Sequence, residues 1–223
     1  IKTFEQARQP SYDHSASHSV SLLSTEYLEL QRTLRSRPSL NQYFQGKARF
    51  DYDPEGNILT VRMPSPVHDF FASLLANQIT AFLDRVAERD DETGKFAASI
   101  SNGTSSRILL RGSSFEGLPT TTQPMQRQPD AQFQHSDAAY PGVVLEISYS
   151  QNGKNLDKLA WDYILKSNGA IRVVIGIDLD YSGTHESSIS IWRAVFLQED
   201  GEELESLDVK REITHEVSLI RRQ

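Results

Sequence analysis

The sequence of 223 residues contains no cysteine. This absence excludes disulfide bonds, zinc–thiolate sites and thiol nucleophiles, and it fits a reducing compartment. We therefore expect an intracellular protein of the cytoplasm or nucleus. No apolar run approaches the roughly 20 residues that cross a bilayer, so we expect no membrane partner. Because the chain begins at Ile1 rather than at Met, we also expect its natural start to lie upstream.

Basic residues are outnumbered, since 23 lysines and arginines face 30 acidic residues and the formal net charge is −7. An acidic excess is unusual for a nucleic-acid-binding protein. However, the segment QEDGEELESLD (198–208) contains no base, and its six acids account for all but one of the excess charges. Net charge therefore neither supports nor excludes a polyanionic substrate.

The first 40 residues differ in composition from the remainder. Residues 1–23 are rich in Ser, His and Gln and lack apolar periodicity, whereas STEYLELQRTLRSRP (24–38) predicts a short helix that Pro38 closes. We therefore predict a flexible N-terminal arm with a short helix over residues 1–40 and one domain over residues 41–223.

A long amphipathic helix is predicted from Ser65 to about residue 89. Ser65 is a suitable N-cap and Pro66 suits the first helical position. Apolar residues then recur at helical spacing: Val67, Phe70, Phe71, Leu74, Leu75, Ile79, Phe82, Leu83 and Val86. We expect the aromatic residues Phe70, Phe71 and Phe82 to lie in the core.

The other segments alternate between strand and helix patterns. We predict a hairpin over 47–63, strands at 96–100 and 106–112, an exposed loop over 113–128, strands at 130–135 and 143–149, a helix over 154–168, a strand at 171–178, and a hairpin of 187–197 with 204–213. This order predicts an α/β fold in which helices flank a central mixed β-sheet, with a long first helix followed by a β-β-α-β unit.

Two acidic residues lie on neighbouring predicted strands. Pro129-Asp130 begins one strand, and Glu146 lies within the next, VVLEIS (143–148). If these strands form a hairpin, Asp130 faces a position close to Glu146, with Cβ atoms about 4.5–5.5 Å apart. Two carboxylates at this spacing repel each other unless a cation lies between them, and a hard divalent cation prefers oxygen ligands.

Two structural alternatives stay open. Asp130 after a proline also suits a turn or the start of a strand. Glu146 is surrounded by apolar residues, and a buried carboxylate needs a partner. A metal ion, a lysine or arginine, or hydrogen-bond donors would each serve Glu146 as this partner.

The same residues resemble a known enzyme superfamily. Pro129-Asp130, then Glu146-Ile147-Ser148 on the following strand, then a helix and a strand resemble the PD-(D/E)XK phosphodiesterases. The sequence is most similar to Uma-type endonucleases, in the form found in uncharacterised fungal proteins. The resemblance runs from about residue 50 to residue 180 and includes MPSPVHDFFASLLANQI (63–79), YPGVVLEISYSQNGKNLDKLAWDYI (140–164) and VVIGIDLDY (173–181).

This resemblance implies a restriction-endonuclease-like core and Mg²⁺-dependent hydrolysis of nucleic-acid phosphodiester bonds. It implies that Asp130, Glu146 and the carbonyl of Ile147 bind one or two Mg²⁺ (or Mn²⁺) ions. His68, at the start of the long helix, would approach the metal or the scissile phosphate. Enzymes of this superfamily often dimerise to cut two strands, which leaves a homodimer open.

The sequence departs from the superfamily pattern at one position. The pattern has Lys two residues after the second acid, where this chain has Ser148. In Uma-type relatives the basic residue comes from the following helix, and Lys158 is the matching position, with Lys154 as a second candidate. The resemblance also implies that Ser148 and Gln151 hydrogen-bond the substrate backbone.

Three functions are consistent with these patterns. The first is a metal-dependent nuclease, and the second is a nuclease-fold domain that has lost catalysis and acts as a binding or regulatory module. The third is an interaction role in which the arm and the helix 24–36 dock a partner. A lysine amine beside the Asp130–Glu146 pair favours the enzyme, whereas an arginine that closes off this pair favours the silent domain.

Overall fold

The computed structural model describes residues 16–111, 123–149, 155–179, 186–198 and 205–218. In chain order its elements are β1 (Ala16–Ser21), α1 (Ser24–Ser36), α2 (Pro38–Lys47), β2 (Arg49–Asp53), β3 (Ile58–Met63), α3 (Pro66–Ala87), α4 (Glu92–Ala98), β4 (Ile100–Asn102), β5 (Ile108–Leu110), β6 (Met125–Arg127), β7 (Ala131–His135), β8 (Val143–Tyr149), α5 (Leu156–Leu165), β9 (Val173–Leu179), β10 (Glu186–Gln198) and β11 (Glu205–Ser218). The α/β class predicted from the sequence is confirmed.

The strands form two sheets rather than the single predicted one. The first sheet has the order β1-β3-β2-β6-β5 and is antiparallel throughout. The second has the order β11-β10-β9-β8-β7-β4. It is mixed, because β8 and β9 run parallel while its other neighbouring strands run antiparallel. Helix α5 connects the two parallel strands, as a crossover connection of this kind requires.

Successive side chains of β8 point to opposite faces of the second sheet, and each face packs against an apolar layer. Leu145 and Ile147 pack with Ala72 and Ala76 of α3 on one face. Val144 packs on the other face with α5 and with residues of β5 and β6 in the first sheet. Glu146 shares this second face, so its carboxylate lies in a core that joins α5 and both sheets.

The long predicted helix is α3, and its start is the predicted one. The Ser65 side chain accepts a hydrogen bond from the backbone N–H of His68, and Pro66 stands in the first turn. It is the third described helix rather than the first, because α1 and α2 precede it. The prediction that all its aromatic residues lie in the core was wrong: Phe70 and Phe82 are 67% and 57% exposed. The apolar arc of α3 is wider than the face that the sheet covers.

The predicted N-terminal arm contributes elements to the first sheet. Strand β1 pairs with β3 from residue 16 to residue 21, a strand that the sequence did not reveal because its residues are mostly polar and exposed. Helix α1, which was predicted, buries Tyr27 against Tyr52 with ring centroids 3.9 Å apart. Residues 1–15 lie outside the described residues.

Three local predictions need correction. Residues 96–98 belong to helix α4, whose N-cap Asp91 accepts from the N–H of Gly94, and the strand begins only at Ile100. The region predicted as an exposed loop, 113–128, contains strand β6, which pairs with β5 and is buried. Its three residues are too few for an alternating pattern. The helix predicted over 154–168 spans Leu156–Leu165.

The hairpin of β7 and β8 has the predicted register. Ala131 pairs with Leu145, and the backbone N–H of Asp130 donates to the carbonyl of Leu145 at 3.1 Å. One step further in this register, Asp130 stands opposite Glu146. The two acids of the sequence motif are therefore held on adjacent strands.

Candidate functional site

Asp130 and Glu146 lie where the second sheet faces the first. Both carboxylates are fully shielded from solvent, with side-chain exposures of 0%. Because burial of an unpaired charge is costly, the partners of each carboxylate determine what this pair does chemically.

Asp130 has partners on both carboxylate oxygens. The backbone N–H of Ile147 donates to Oδ2 at 2.7 Å, and Nη1 of Arg49 donates to Oδ1. Nε2 of His68 lies 3.3 Å from Oδ2. Asp130 is therefore fixed by β8, by β2 and by the first turn of α3.

Glu146 is held from the opposite side by α5. The hydroxyl of Tyr163 donates to Oε1 at 2.7 Å. Burial, with the neighbouring Glu146 charge next in size, holds the pKa of Tyr163 well above its ordinary value. Tyr163 is thus a hydrogen-bond donor to Glu146 at physiological pH.

Arg62 of β3 extends between the two acids. Its Nη1 lies 3.8 Å from Oδ1 of Asp130 and 3.9 Å from Oε2 of Glu146. Nε lies 2.9 Å from Asp51, and Nη2 donates to the carbonyl of Gln128 at 2.5 Å. Burial by itself lowers the pKa of Arg62, but Asp51, Glu146 and Asp130 together raise it above its ordinary value. Arg62 is a permanent positive charge beside the acid pair.

His68 and Asp69 connect the acid pair to the surface. Nε2 of His68 lies 3.3 Å from the carbonyl oxygen of Ile147 as well as 3.3 Å from Asp130. The neighbouring Asp69 is half exposed and lies 2.7 Å from Nη2 of Arg49. The hydrogen bond from His68, followed by the charge of Arg49, lowers the pKa of Asp69 although partial burial opposes this shift.

These charged groups form one network, named here the acid–arginine cluster. Its members are Asp51, Asp69, Asp130, Glu146, Arg49 and Arg62. Among the residues that the structure describes, this network joins four carboxylates, of which Asp69 is half exposed, with two guanidinium groups. Arg127 lies beside this network and donates to Asp162 at 2.5 Å. Burial by itself lowers the pKa of Arg127, but the charges of Asp51 and Asp162 raise it above its ordinary value, so Arg127 also offsets negative charge here.

The donor chemistry of this cluster fits a hard divalent cation. Asp130, Glu146 and the Ile147 carbonyl offer the oxygen ligands that Mg²⁺ or Mn²⁺ prefers. Within the described residues, however, no group of three His, Cys, Asp or Glu side chains is gathered as a preformed metal cage. Mg²⁺ sites commonly use one or two carboxylates and retained waters rather than such a cage.

Lys158 is not brought to this pair. Nζ of Lys158 lies 2.9 Å from Asp162 and 3.7 Å from Asp53, and its side chain is 56% exposed. Its i,i+4 pairing with Asp162 follows from their shared face on α5. Lys154 and Gln151 lie outside the described residues. Ser148 is buried at 2% exposure, two residues beyond Glu146 on β8.

Sequence reasoning missed Arg49, Asp51, Arg62 and Tyr163. Arg49 and Arg62 are directly paired in the β2–β3 hairpin, where two like charges require acidic neighbours. Arg62 also interrupts an apolar strand, as Glu146 does. That shared pattern was the available signal, although nothing local indicates that the two strands meet.

Comparison of the chain with protein-family models, curated proteins and solved structures finds no significant match. The resemblance to PD-(D/E)XK enzymes therefore stays a prediction. Across the described ranges, no helix combines the length and apolar character that crossing a membrane requires.

Proposed function

We propose that this protein is a Mg²⁺-dependent nuclease of the PD-(D/E)XK type, with a restriction-endonuclease-like core and with Asp130 and Glu146 as its acids. One observation carries the proposal: two fully buried carboxylates, Asp130 and Glu146, lie opposite each other on adjacent strands, and the Ile147 carbonyl follows Glu146 along β8. Two carboxylates and a backbone carbonyl are oxygen ligands of the kind that a hard divalent cation prefers.

The residues that would hold the cation are Asp130, Glu146 and, through its carbonyl oxygen, Ile147. A bound Mg²⁺ or Mn²⁺ supplies a Lewis acid for a phosphate oxygen and a lower pKa for a coordinated water. His68 fixes the geometry of this donor set, because its Nε2 lies 3.3 Å from both the Asp130 carboxylate and the Ile147 carbonyl.

Arg62 supplies the positive charge that Ser148 lacks. Its guanidinium lies within 4 Å of both acids, whereas the amine of Lys158 is committed to Asp162. With its pKa raised, Arg62 is not a general base, so its role is to stabilise negative charge that develops on a phosphate. Arg49, at 12% side-chain exposure, is the cation of this cluster nearest to solvent.

A nuclease assay tests the proposal. Labelled single- and double-stranded DNA and RNA are incubated with the protein in Mg²⁺, in Mn²⁺ and in EDTA. We expect metal-dependent cleavage that is lost in Asp130→Asn and Glu146→Gln but kept in Glu92→Gln, an exposed acid of α4. Absence of cleavage by folded wild-type protein in either metal rejects the enzyme.

A second candidate is a nuclease-fold domain without catalysis that acts as a binding or regulatory module. The observation that favours it is the closure of the acid pair by arginines, with Arg49 on Asp130 and Arg62 facing both acids. Calorimetric titration with Mg²⁺ separates the two candidates. The enzyme requires heat of binding that disappears in Glu146→Ala, whereas the silent domain gives none in either protein.

A further inference from the structure

A surface cleft of about 640 Å³ lies beside strand β7, outside the acid–arginine cluster. Its walls come from the segment around β5 and from the chain between β7 and β8. The volume falls within the range of about 300–1,000 Å³ that is typical of ligand sites. The side chains that give the cleft its chemistry are Arg107, Arg111, Gln132, Gln134 and Tyr140.

The cleft is positively charged in an acidic protein. Arg107 and Arg111 are both exposed, and the described residues that line the cleft include no acid. The chain as a whole carries a formal charge of −7. A local concentration of one sign of charge in a concave surface attracts ligands of the opposite sign, so the cleft favours an anion.

The floor of the cleft is rigidly built. Gln132 is only 3% exposed, and its Nε2 donates to the carbonyl of Ser106 at 2.7 Å. Gly103 lies against it so closely that an added Cβ would come within 2.9 Å of Gln132 Cγ. Nε2 of Gln134 donates to the carbonyl of Ala138 at 2.6 Å. These contacts fix both amide groups before any ligand arrives.

The aromatic wall is fixed as well. The hydroxyl of Tyr140 donates to the carbonyl of Leu109 at 3.2 Å, which ties the β7–β8 connection to β5 across the cleft. Its half-buried ring packs against the core formed with α5. A ring held at the edge of a basic groove is the arrangement on which the bases of single strands stack.

The strand that lines the cleft, β7, begins at the residue after Asp130. Ala131 and Phe133 of β7 pack on the α3 side, so by strand alternation Gln132 and Gln134 share the opposite side. These two residues are about 6.8 Å apart along the strand. A ligand lying along the cleft therefore meets both amide side chains, whereas the Asp130 side chain is shielded from solvent and does not line the cleft.

We propose that this cleft binds a single-stranded segment of nucleic acid, with Arg107 and Arg111 on its phosphates, Gln132 and Gln134 hydrogen-bonding its polar edges, and Tyr140 stacking on a base. The assignment of the strand as substrate rests on the proposed nuclease function. Binding of the strand in the cleft is a separate property that needs no metal.

Fluorescence anisotropy with labelled 12-nucleotide DNA and RNA strands, in EDTA, tests the cleft without cleavage. We expect Arg107→Gln/Arg111→Gln to weaken binding at least ten-fold. The plot of log affinity against log salt concentration has a negative slope, and its magnitude should decrease by about 1.4 in this variant. Each lost phosphate contact with a single strand accounts for about 0.7 of this decrease. Tyr140→Leu should weaken binding about ten-fold or more, whereas Tyr140→Phe keeps the stacking ring and the affinity.

The matched control is Arg85→Gln/Lys95→Gln, which removes the same charge from exposed positions outside the cleft. Equal weakening by this control, or an unchanged salt slope in the cleft variant, overturns the proposal. Competition by adenosine monophosphate as strong as that of the unlabelled strand would also overturn it, because the cleft would then be a mononucleotide site. Binding without Mg²⁺-dependent cleavage supports the cleft and rejects the nuclease. Mg²⁺-dependent cleavage that the cleft variant leaves unchanged supports the nuclease and rejects the cleft as its strand-binding site.

Discussion

Tyr163 of α5 donates its hydroxyl hydrogen to the buried carboxylate of Glu146 across 2.7 Å. Removal of the donor takes one hydrogen bond from a buried carboxylate, which costs about 1–3 kcal/mol. We therefore expect Tyr163→Phe to lower the free energy of unfolding by about this amount in urea denaturation. Tyr43→Phe, at a residue that is 52% exposed, should change it by no more than about 0.5 kcal/mol. Equal stability of Tyr163→Phe and wild type would contradict a structural role for this hydroxyl.

Tyr163 should also make the free energy of unfolding depend on pH in the alkaline range. Burial and the charge of Glu146 raise the pKa of Tyr163 well above its ordinary 10.0 in the folded protein. The protonated form thus contributes stability that is complete below pH 10 and is lost as the pH rises from there toward the folded-state pKa. Since Tyr163→Phe has no group to titrate, its stability deficit relative to wild type should narrow above pH 10. A deficit that stays constant in denaturation curves up to pH 11 contradicts this linkage.

The acid pair could be placed from the sequence because its two strands are close along the chain. The turn between Asp130 and Glu146 is short, so strand alternation and hairpin register were enough to set them opposite each other. The start of α3 was also readable, because the Ser65 cap and the Pro66 first turn are local signals.

The partners of the acids could not be placed in the same way. Arg49 is 81 positions from Asp130, and Arg62 reaches it from another sheet. Local periodicity indicates which face of a strand a residue occupies but not which faces meet. For the same reason Lys158 was assigned to the acids, although its nearest carboxylate is four residues along its own helix.

Arg62 stabilises the fold through the charges that surround it. Its side chain is 9% exposed, and its removal would leave Asp51, Asp130 and Glu146 without this cation. Loss of one partner from a buried ion pair costs about 3–5 kcal/mol. We expect this decrease in unfolding free energy for Arg62→Met and a smaller one for Arg62→Lys, as measured in urea. Arg32→Met, at an exposed position on α1, is the control and should be close to neutral.

The proposed catalytic role of Arg62 can be separated from its contribution to stability by measuring cleavage rates. If its charge stabilises a phosphate, Arg62→Lys should retain part of the cleavage rate that Arg62→Met loses, at a temperature where both variants are folded. The two rates are compared in the same Mg²⁺-dependent assay, with circular dichroism as the check of folding. Equal rates for the two variants would remove Arg62 from the chemistry and leave it a structural role alone.

Divalent cations should stabilise the folded protein if the acid–arginine cluster binds them. A ligand that binds only the folded state at about 100 times its Kd contributes about 2.7 kcal/mol, and for a chain of this length each kcal/mol raises Tm by about 2–4 °C. We therefore expect MgCl₂ to raise Tm by about 5–10 °C over NaCl of equal ionic strength. Glu146→Gln should lose this increase, whereas Glu92→Gln should keep it. An identical Tm in both salts would reject the metal site.

Gly176 of β9 keeps open the space that α5 needs above the second sheet. It pairs with Glu146 in the parallel register, and a Cβ there would lie 2.6 Å from Trp192 Cζ3 and 3.1 Å from Leu156. The indole is buried and its Nε1 donates to Asp157 at 2.9 Å, so it has little freedom to move aside. Overpacking of a filled core costs about 1–3 kcal/mol, and we expect Gly176→Ala to lose that much stability in urea denaturation.

The control for this substitution is Gly46→Ala in helix α2, where an added Cβ meets nothing within 4 Å. Alanine is the better helix former, so Gly46→Ala should leave stability unchanged or raise it by up to about 1 kcal/mol. If Gly176→Ala proves as stable as Gly46→Ala, the indole can shift. Helix α5, which carries Tyr163, would then not be fixed over Glu146 by this contact.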